Sequence, residues 1–366
     1  MVVLSRKPEQ PSQSWVGIDV GKSKLDVCIL RRLPLEESPA QNSGPIAKPG
    51  NKKSKKARLS GDLLMTEVSF DNNVDGWEQL RQAVQEVCPP EDNPHFCMES
   101  TGPYSQGVAL FLARKDLKVS LVNPHRIKHH GRALNAGNKT DRADARLIAD
   151  YCYRMKPAVW ICPPDPKLDL RELNRTYLEL QEARLREINR QETTPRTSVV
   201  SAQRKKRIEL LEEQMEELQR EMNDMINRDP DLQSDRDLLI SIPGIADRGV
   251  QTFLSEVQMD DFDSAEQLAS WSGTAPSETS SGTSVHGKTR MSGKGNVRLR
   301  SMFYMCALPA MRHNPLIRDL YHRLRARGLC AKAALLACAR KLIMLCYGVL
   351  KNRKAFDPTW AAVKAA

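Results

Sequence analysis

Two acidic residues each close a short β-like run, Asp19 in WVGIDVGKSKLDV and Glu99 in FCMESTGPY. Two more, Asp141 and Asp144, stand three apart where the helical pattern NKTDRADARLIADY begins. That spacing puts them on one helix face. A fold that gathered four carboxylates from two strands and a helix would set like charges against each other unless a cation neutralised them. Mg²⁺ or Mn²⁺, bound by hard oxygen ligands, meets that need. Such ions assist the cutting and joining of phosphodiesters.

The surrounding pattern is that of a sheet covered by helices. WVGIDV, LDVCILR, LMTEVSF, HFCMES and KVSLVN read as strands. Helical periodicity covers Asp75–Val87, Tyr104–Arg114 and Thr140–Tyr153. Three strands in succession, then strand–helix alternation, predict a mixed α/β sheet with helices packed on it, over residues 15–158. Residues 33–60 break the pattern. They are rich in Pro, Ser, Asn and Lys, include GNKKSKKAR, and read as a flexible basic loop inserted in a hairpin. Its lysines suit a nucleic-acid backbone, and a merely solvated insertion suits them equally. Residues 1–14 are polar, are expected to be disordered and carry no signal-peptide pattern.

The formal net charge of +11 favours a polyanionic partner, against the plainer reading of a basic solvated surface. Nine cysteines without a CxxC pair point to reduced thiols in a cytoplasmic protein, with neither a disulfide framework nor a zinc site. His129 and His130 lie in a basic stretch that suits phosphate or plain solvent better than a metal. The apolar stretch Ala331–Leu350 is interrupted by Lys332, Arg340 and Lys341, so a buried or amphipathic helix is expected and not a membrane span.

The second half is helical. After the Pro-rich WICPPDPKLDL, residues 159–235 read as a linker and coiled coil. Leu170, Leu173, Tyr177 and Leu180 begin one apolar stripe, and Ile208, Leu211, Met215, Leu218, Met222 and Met225 form another at 3-4 spacing. Pro195 breaks the helix between them. The arms could fold back on each other or pair with another subunit. In residues 236–358, LLISIPGIADRGVQTFLSEV resembles a helix-hairpin-helix, whose turn can offer N–H groups to phosphate. A polar run, GTAPSETSSGTSVHGKTRMSGKGN, and further helices follow.

Taken singly, each acid has a plainer reading. GIDVGKS also opens actin-like sugar kinases, but the second Asp-Gly loop and the Gly-rich adenosine loop of those enzymes are not found. Asp141 or Asp144 could simply favour a helix's first turn. Taken in order, GIDVGKSKLDV, MESTGPY, VNPHRIK and NKTDRADARLIADY resemble the RuvC-like, RNase H-fold domain of the DEDD transposases of bacterial insertion sequences, the IS-one-ten family, related to the Piv invertases. LLISIPGI and SGTSVHGKTRMSGKGNVRLRSMFYMCAL resemble that family's second, transposase domain. The resemblance spans Trp15 to about Pro358, with residues 33–60 as its main departure.

It implies a catalytic, metal-binding tetrad at Asp19, Glu99, Asp141 and Asp144, and a nucleophilic serine at Ser281 in the Ser-Gly-x-Ser-Val motif, with Ser277, Ser280 and Ser284 as neighbours. A serine hydroxyl needs activation, which carboxylate-held Mg²⁺ could supply in a site composed from both domains. His286, Lys288, Arg290, Lys294 and Arg298 then become candidate phosphate contacts. The resemblance further implies donor and target DNA as substrates, a structured guide RNA from the element's noncoding end, and a homo-oligomer, dimers pairing into a tetramer. A site-specific invertase, a metal-only RuvC-type junction nuclease and a non-enzymatic DNA-binding protein are the alternative functions.

Overall fold

The computed structural model describes residues 14–32, 55–60, 63–88, 91–100, 102–134, 141–193, 197–277, 280–281, 285–286, 290–291 and 295–359. The chain divides into two compact units, Met1–Cys162 and Pro163–Ala366.

The first unit runs β1 (Ser14–Val20), β2 (Lys24–Arg32), β3 (Lys55–Ser60), β4 (Leu63–Asp71), α1 (Val74–Val87), β5 (His95–Glu99), α2 (Pro103–Ala113), β6 (Lys118–Val122), α3 (Pro124–Ala133) and α4 (Asp141–Met155). Its strands form one mixed sheet in the order β3-β4-β2-β1-β5-β6. The pairs β1–β2, β2–β4 and β3–β4 are antiparallel, whereas β1–β5 and β5–β6 are parallel. Alternation along the strands sorts side chains between two apolar layers. Val16, Ile18, Val27, Phe96 and Met98 pack with Leu80 of α1 and Leu112 of α2. Trp15, Cys28, Cys97 and Val122 pack on the other face with Ile127 of α3 and Ile148, Ala149 and Cys152 of α4.

Three features depart from the sequence pattern. Ser14, expected in a disordered terminus, is buried in β1 opposite Arg31. Residues 55–60, expected in a loop, form the edge strand β3, with Arg58 opposite Met65 and Ser60 opposite Leu63. Edge pairing satisfies backbone groups and needs no apolar run, so KKARLS carries no strand signature of its own. The rest of the loop segment, 33–54, lies outside the described residues, as do 1–13. Helix α3 is the third departure. It buries only Ile127 and Gly131, too few positions to show helical periodicity. Its start is set by Asn123, whose side chain accepts from the His125 amide at 2.9 Å, with proline in the first turn.

Gly17 fixes how α4 lies on the sheet. A Cβ there would fall 2.3 Å from both the Ala145 carbonyl oxygen and the Ala149 amide nitrogen. Gly17→Ala therefore forces helix and strand apart. The expected loss is about 3 kcal/mol, or a fall of about 6–12 °C in the melting temperature, read by calorimetry of the full chain.

The second unit comprises α5 (Asp165–Thr193), α6 (Ser198–Arg228), α7 (Pro230–Ile240), α8 (Asp247–Glu256), α9 (Ala265–Trp271), the two-residue strands β7 (Pro276–Ser277), β8 (Ser280–Ser281), β9 (Val285–His286) and β10 (Arg290–Met291), then α10 (Val297–His313), α11 (Pro315–Ala326) and α12 (Ala331–Asn352). Helices α5 and α6 fold back on each other within the chain. Arg184 Nε donates to Glu212 at 2.7 Å and Arg207 Nη1 to Glu187 at 3.2 Å, so positions ascend on one arm as they descend on the other. Of the arrangements that the two apolar stripes leave open, the chain itself forms the folded-back one. Leu170, Tyr177, Met222 and Ile226 of this hairpin join one core with α8, α10 and α12. A buried polar network pins it there: Asn174 Nδ2 donates to Ser255 Oγ at 3.0 Å, and the Arg248 guanidinium lies 3.7 Å from the Tyr177 ring centroid.

The turn between α7 and α8 packs on α10, where Gly244, at φ +102, faces Ala310 with no room for a Cβ. Helix α12 is long and apolar enough to cross a bilayer by composition. Here Cys338, Leu342, Ile343 and Cys346 are fully buried inside the second unit.

Candidate active site

The parallel ladder brings Asp19 and Glu99 together. Ile18 of β1 lies opposite Met98 of β5, and Asp19 and Glu99 are the next residues of each strand. Both are half-buried and both sit at the C-terminal edge of the sheet. They share the α4 face by parity, since Trp15 and Gly17 precede Asp19 on that face and Cys97 precedes Glu99.

Helix α4 crosses that face antiparallel to β1. Tyr153, near its C-terminus, meets Trp15 at the start of β1, with ring centroids 4.6 Å apart. Ala149 and Ala145 cover Gly17. The next turn toward the N-terminus carries Asp144 and Asp141, and the next outward position on β1 is Asp19. Cys152 adds the same direction on β5, because its thiol donates to the carbonyl of His95, the first residue of that strand, at 3.6 Å. The first turn of α4 therefore lies toward the strand ends that bear Asp19 and Glu99, with Asp144 half-buried and Asp141 exposed.

All four donors are carboxylates, the chemistry that magnesium and manganese prefer over softer metals. Among the described residues, however, no three His, Cys, Asp or Glu side chains stand close enough together to hold a metal ion. The backbone places the four acids toward one end of one sheet face.

A fifth carboxylate, which the sequence patterns do not single out, belongs to the same face. Asp26 of β2 is the cross-strand partner of Asp19. It is buried, accepts from Ser69 Oγ at 2.6 Å and pairs with Lys24 Nζ at 2.8 Å. Its signal was present in KSKLDV: in a tight hairpin, a residue this far from Asp19 returns to the facing register position.

Ser281 lies in a two-tier hairpin. At its base, Pro276 and Ser277 pair with Met291 and Arg290; in the inner tier, Ser280 pairs with His286 and Ser281 with Val285. Of the basic candidates, His286 and Arg290 lie on these strands and Arg298 is exposed in the first turn of α10, whereas Lys288 and Lys294 lie outside the described residues. Ser284 also lies outside them.

The hairpin's root is clamped. The Asn296 amide donates to the Trp271 carbonyl at 3.0 Å, and Gly295, at φ +100, presses on the Gly273 and Trp271 backbone. Glu256, at the end of α8, accepts from Asn296 Nδ2 at 2.9 Å and from Arg175 Nε of α5 at 3.1 Å. Burial pushes the Glu256 carboxyl up, but those two partners outweigh it and hold the group below the ordinary carboxylate range. The serine hairpin and the long α5–α6 hairpin are thus tied through one buried carboxylate.

The sequence is similar to known proteins over both halves of the chain. Residues 58–194 match the IS110-type DEDD transposase model, which takes in Glu99, Asp141 and Asp144. Residues 236–322 match the model described as "Transposase IS116/IS110/IS902 family", which takes in Ser281. The chain is 26% identical over 348 residues to a pilin gene-inverting protein of Moraxella bovis, covering 94% of this chain and 98% of that protein. It is 36% identical over 121 residues to the insertion element IS110 uncharacterized 43.6 kDa protein of Streptomyces coelicolor, covering 33% of this chain and 30% of that one. An IS116 counterpart from Streptomyces clavuligerus is 31% identical over 150 residues, or 40% of this chain and 36% of its own. With two models of the same family matching residues 58–194 and 236–322, and a relative aligned along nearly the whole chain, the protein belongs to the IS116/IS110/IS902 family of DEDD transposases, which are DNA transposases and recombinases.

Proposed function

We propose that the protein exchanges DNA strands through a serine nucleophile, as the transposase of a bacterial insertion sequence. In this reading the first unit is an RNase H-like domain in which Asp19, Glu99, Asp141 and Asp144 hold Mg²⁺ or Mn²⁺. The observation that carries it is the placement of Asp19 and Glu99 at adjacent parallel strand ends, under the face that the first turn of α4 approaches. The Ser281 hydroxyl attacks a backbone phosphorus, and its proton leaves as the P–O bond to one DNA strand breaks and the departing oxygen is protonated. A phosphoserine link then holds the cut strand until a DNA hydroxyl attacks it, restoring the backbone and the serine. The link conserves the bond, so ATP is not needed. When bound, the divalent cation supplies charge that polarises the scissile phosphate and eases loss of the hydroxyl proton.

Choice of target is assigned to a structured RNA from the element. The chain is basic overall and carries no zinc-finger spacing or clear base-reading helix, which suits gripping of backbone with pairing left to a guide. Assembly as dimers or tetramers completes the reading. A second reading, site-specific inversion, is favoured by the alignment over 98% of the Moraxella bovis protein, whose name is that activity.

The test is purified protein with its flanking transcript on donor and target DNA. Strand exchange should require Mg²⁺ or Mn²⁺ and stop in EDTA. Full activity in EDTA would remove the metal, and full activity after exhaustive RNase treatment would remove the guide. Activity confined to inverted sites on one DNA would select inversion.

A further inference from the structure

Helix α3 opens at the edge where Asp19 and Glu99 end. Val122, the register partner of Glu99, is the last residue of β6, and α3 follows directly after Asn123. Its inner side is committed to α4. Gly131 lies against the Leu147 side chain, Ile127 is buried with Ile148, and His130 Nε2 meets Asp150 Oδ2 at 2.8 Å. Its outer side is wholly different. His125, Lys128, His129 and Arg132 are exposed at i, i+3, i+4 and i+7, with Arg126 exposed beside them.

A basic helix face is usually balanced by its own acids. This one is not, since PHRIKHHGRA contains no Asp or Glu. None of the five side chains has an ion pair among the described residues. Other helices carry acids that balance some of their arginines, as Glu78 does Arg81 and Asp150 does Arg154. Uncompensated charge on one stripe destabilises the isolated helix by like-charge repulsion, so a counter-charge from outside relieves it.

We propose that this stripe of α3 grips the phosphate backbone of the DNA strand being cut, next to the scissile phosphate. The inference rests on the reading of the Asp19–Glu99 edge as the place of cutting. The stripe is about 10 Å long, so the backbone of one strand can run along it. It reads no sequence, because Lys, Arg and His on one exposed face offer charge and donors to phosphate without entering a groove. Its work is to lay the strand across the sheet edge in register with the carboxylates.

The measurement is binding of the full chain to a short fluorescein-labelled DNA duplex of arbitrary sequence across a salt series. Each phosphate contact contributes about 0.9 to the slope of log K against log salt. Lys128→Gln/Arg132→Gln should therefore flatten the slope by about 1.8, losing about 12-fold less affinity than wild type between about 50 and about 200 mM salt. Lys128→Arg/Arg132→Lys should keep the wild-type slope. The control pair Lys115→Gln/Lys156→Gln removes the same charge at the opposite edge of the sheet and should leave the slope unchanged. Equal flattening by both pairs, an unchanged slope in the α3 pair, or flattening on a single-stranded RNA probe alone would overturn the proposal. Thermal melts confirm folding, and both target side chains are exposed. Wild-type strand exchange, assayed in parallel, separates the two readings: flattening without any exchange defeats the proposed reaction and leaves the surface, whereas exchange without flattening defeats the surface alone.

Discussion

Asp19→Asn is expected to lower strand exchange by about a thousandfold or more while the protein stays folded. The substitution keeps the shape of the side chain and removes its charge. A metal's stabilisation of a phosphoryl transition state amounts to several kcal/mol, and about 4 kcal/mol corresponds to about a thousandfold in rate. Glu99→Gln should behave alike, because the register makes the two residues neighbours at one strand edge. Asp141→Asn and Asp144→Asn test whether the first turn of α4 completes the set. Melting should remain within about 4 °C of wild type, the span of about 1 kcal/mol for a unit of this size. The residue at issue is half-buried at a strand end and outside the apolar layers. An active Asp19→Asn protein, or one inactive only because it unfolds, would count against the tetrad.

Ser281→Ala should eliminate the covalent protein–DNA adduct seen on denaturing gels, a complete loss, because no second hydroxyl at that position can carry the phosphate. Ser284→Ala should retain it. Ser280 is the informative neighbour: it pairs with His286 where Ser281 pairs with Val285, so the two serines hold different positions in the same ladder. Loss of the adduct in Ser280→Ala alone would move the nucleophile by one residue. The Glu256 clamp bears on the same experiment, since it ties the hairpin root at Asn296 to Arg175 of α5. A hydroxyl that must reach a phosphorus atom gains from a root that does not drift.

Much of the first unit was legible because its strands alternate and its helices carry enough apolar positions to show a period. WVGIDV and HFCMES announce strands, and Asp19 and Glu99 stand where their apolar runs end. The acids of α4 were legible for the same reason, at the head of a periodic segment. Edge strand β3 was not, since KKARLS has no alternating apolar run to announce a strand. Helix α3 was not, since two buried residues make no pattern. Asp26 was missed because what matters about it is its partner across the hairpin, and the turn register that sets it opposite Asp19 is not part of an apolar period.

The second unit divides in the same way. The stripes from Leu170 and from Ile208 declare long helices, yet they are equally satisfied by a partner helix from the same chain or from another. The crossed pairs Arg184–Glu212 and Arg207–Glu187 show that the same chain supplies a partner helix. Ser281 sits in a Ser/Thr/Gly run whose local preference is for turns, and its short ladders exist only by pairing across the hairpin. By itself the sequence determined the types and apolar faces of the periodic elements and marked the four acids as candidates, because those depend on spacing along the chain. Tertiary structure alone decided that Asp19 and Glu99 are neighbours, that α4 seats on Gly17 and that α3 turns an unbalanced basic face outward. Those facts depend on which distant segments touch, and contact between them is fixed by packing and register.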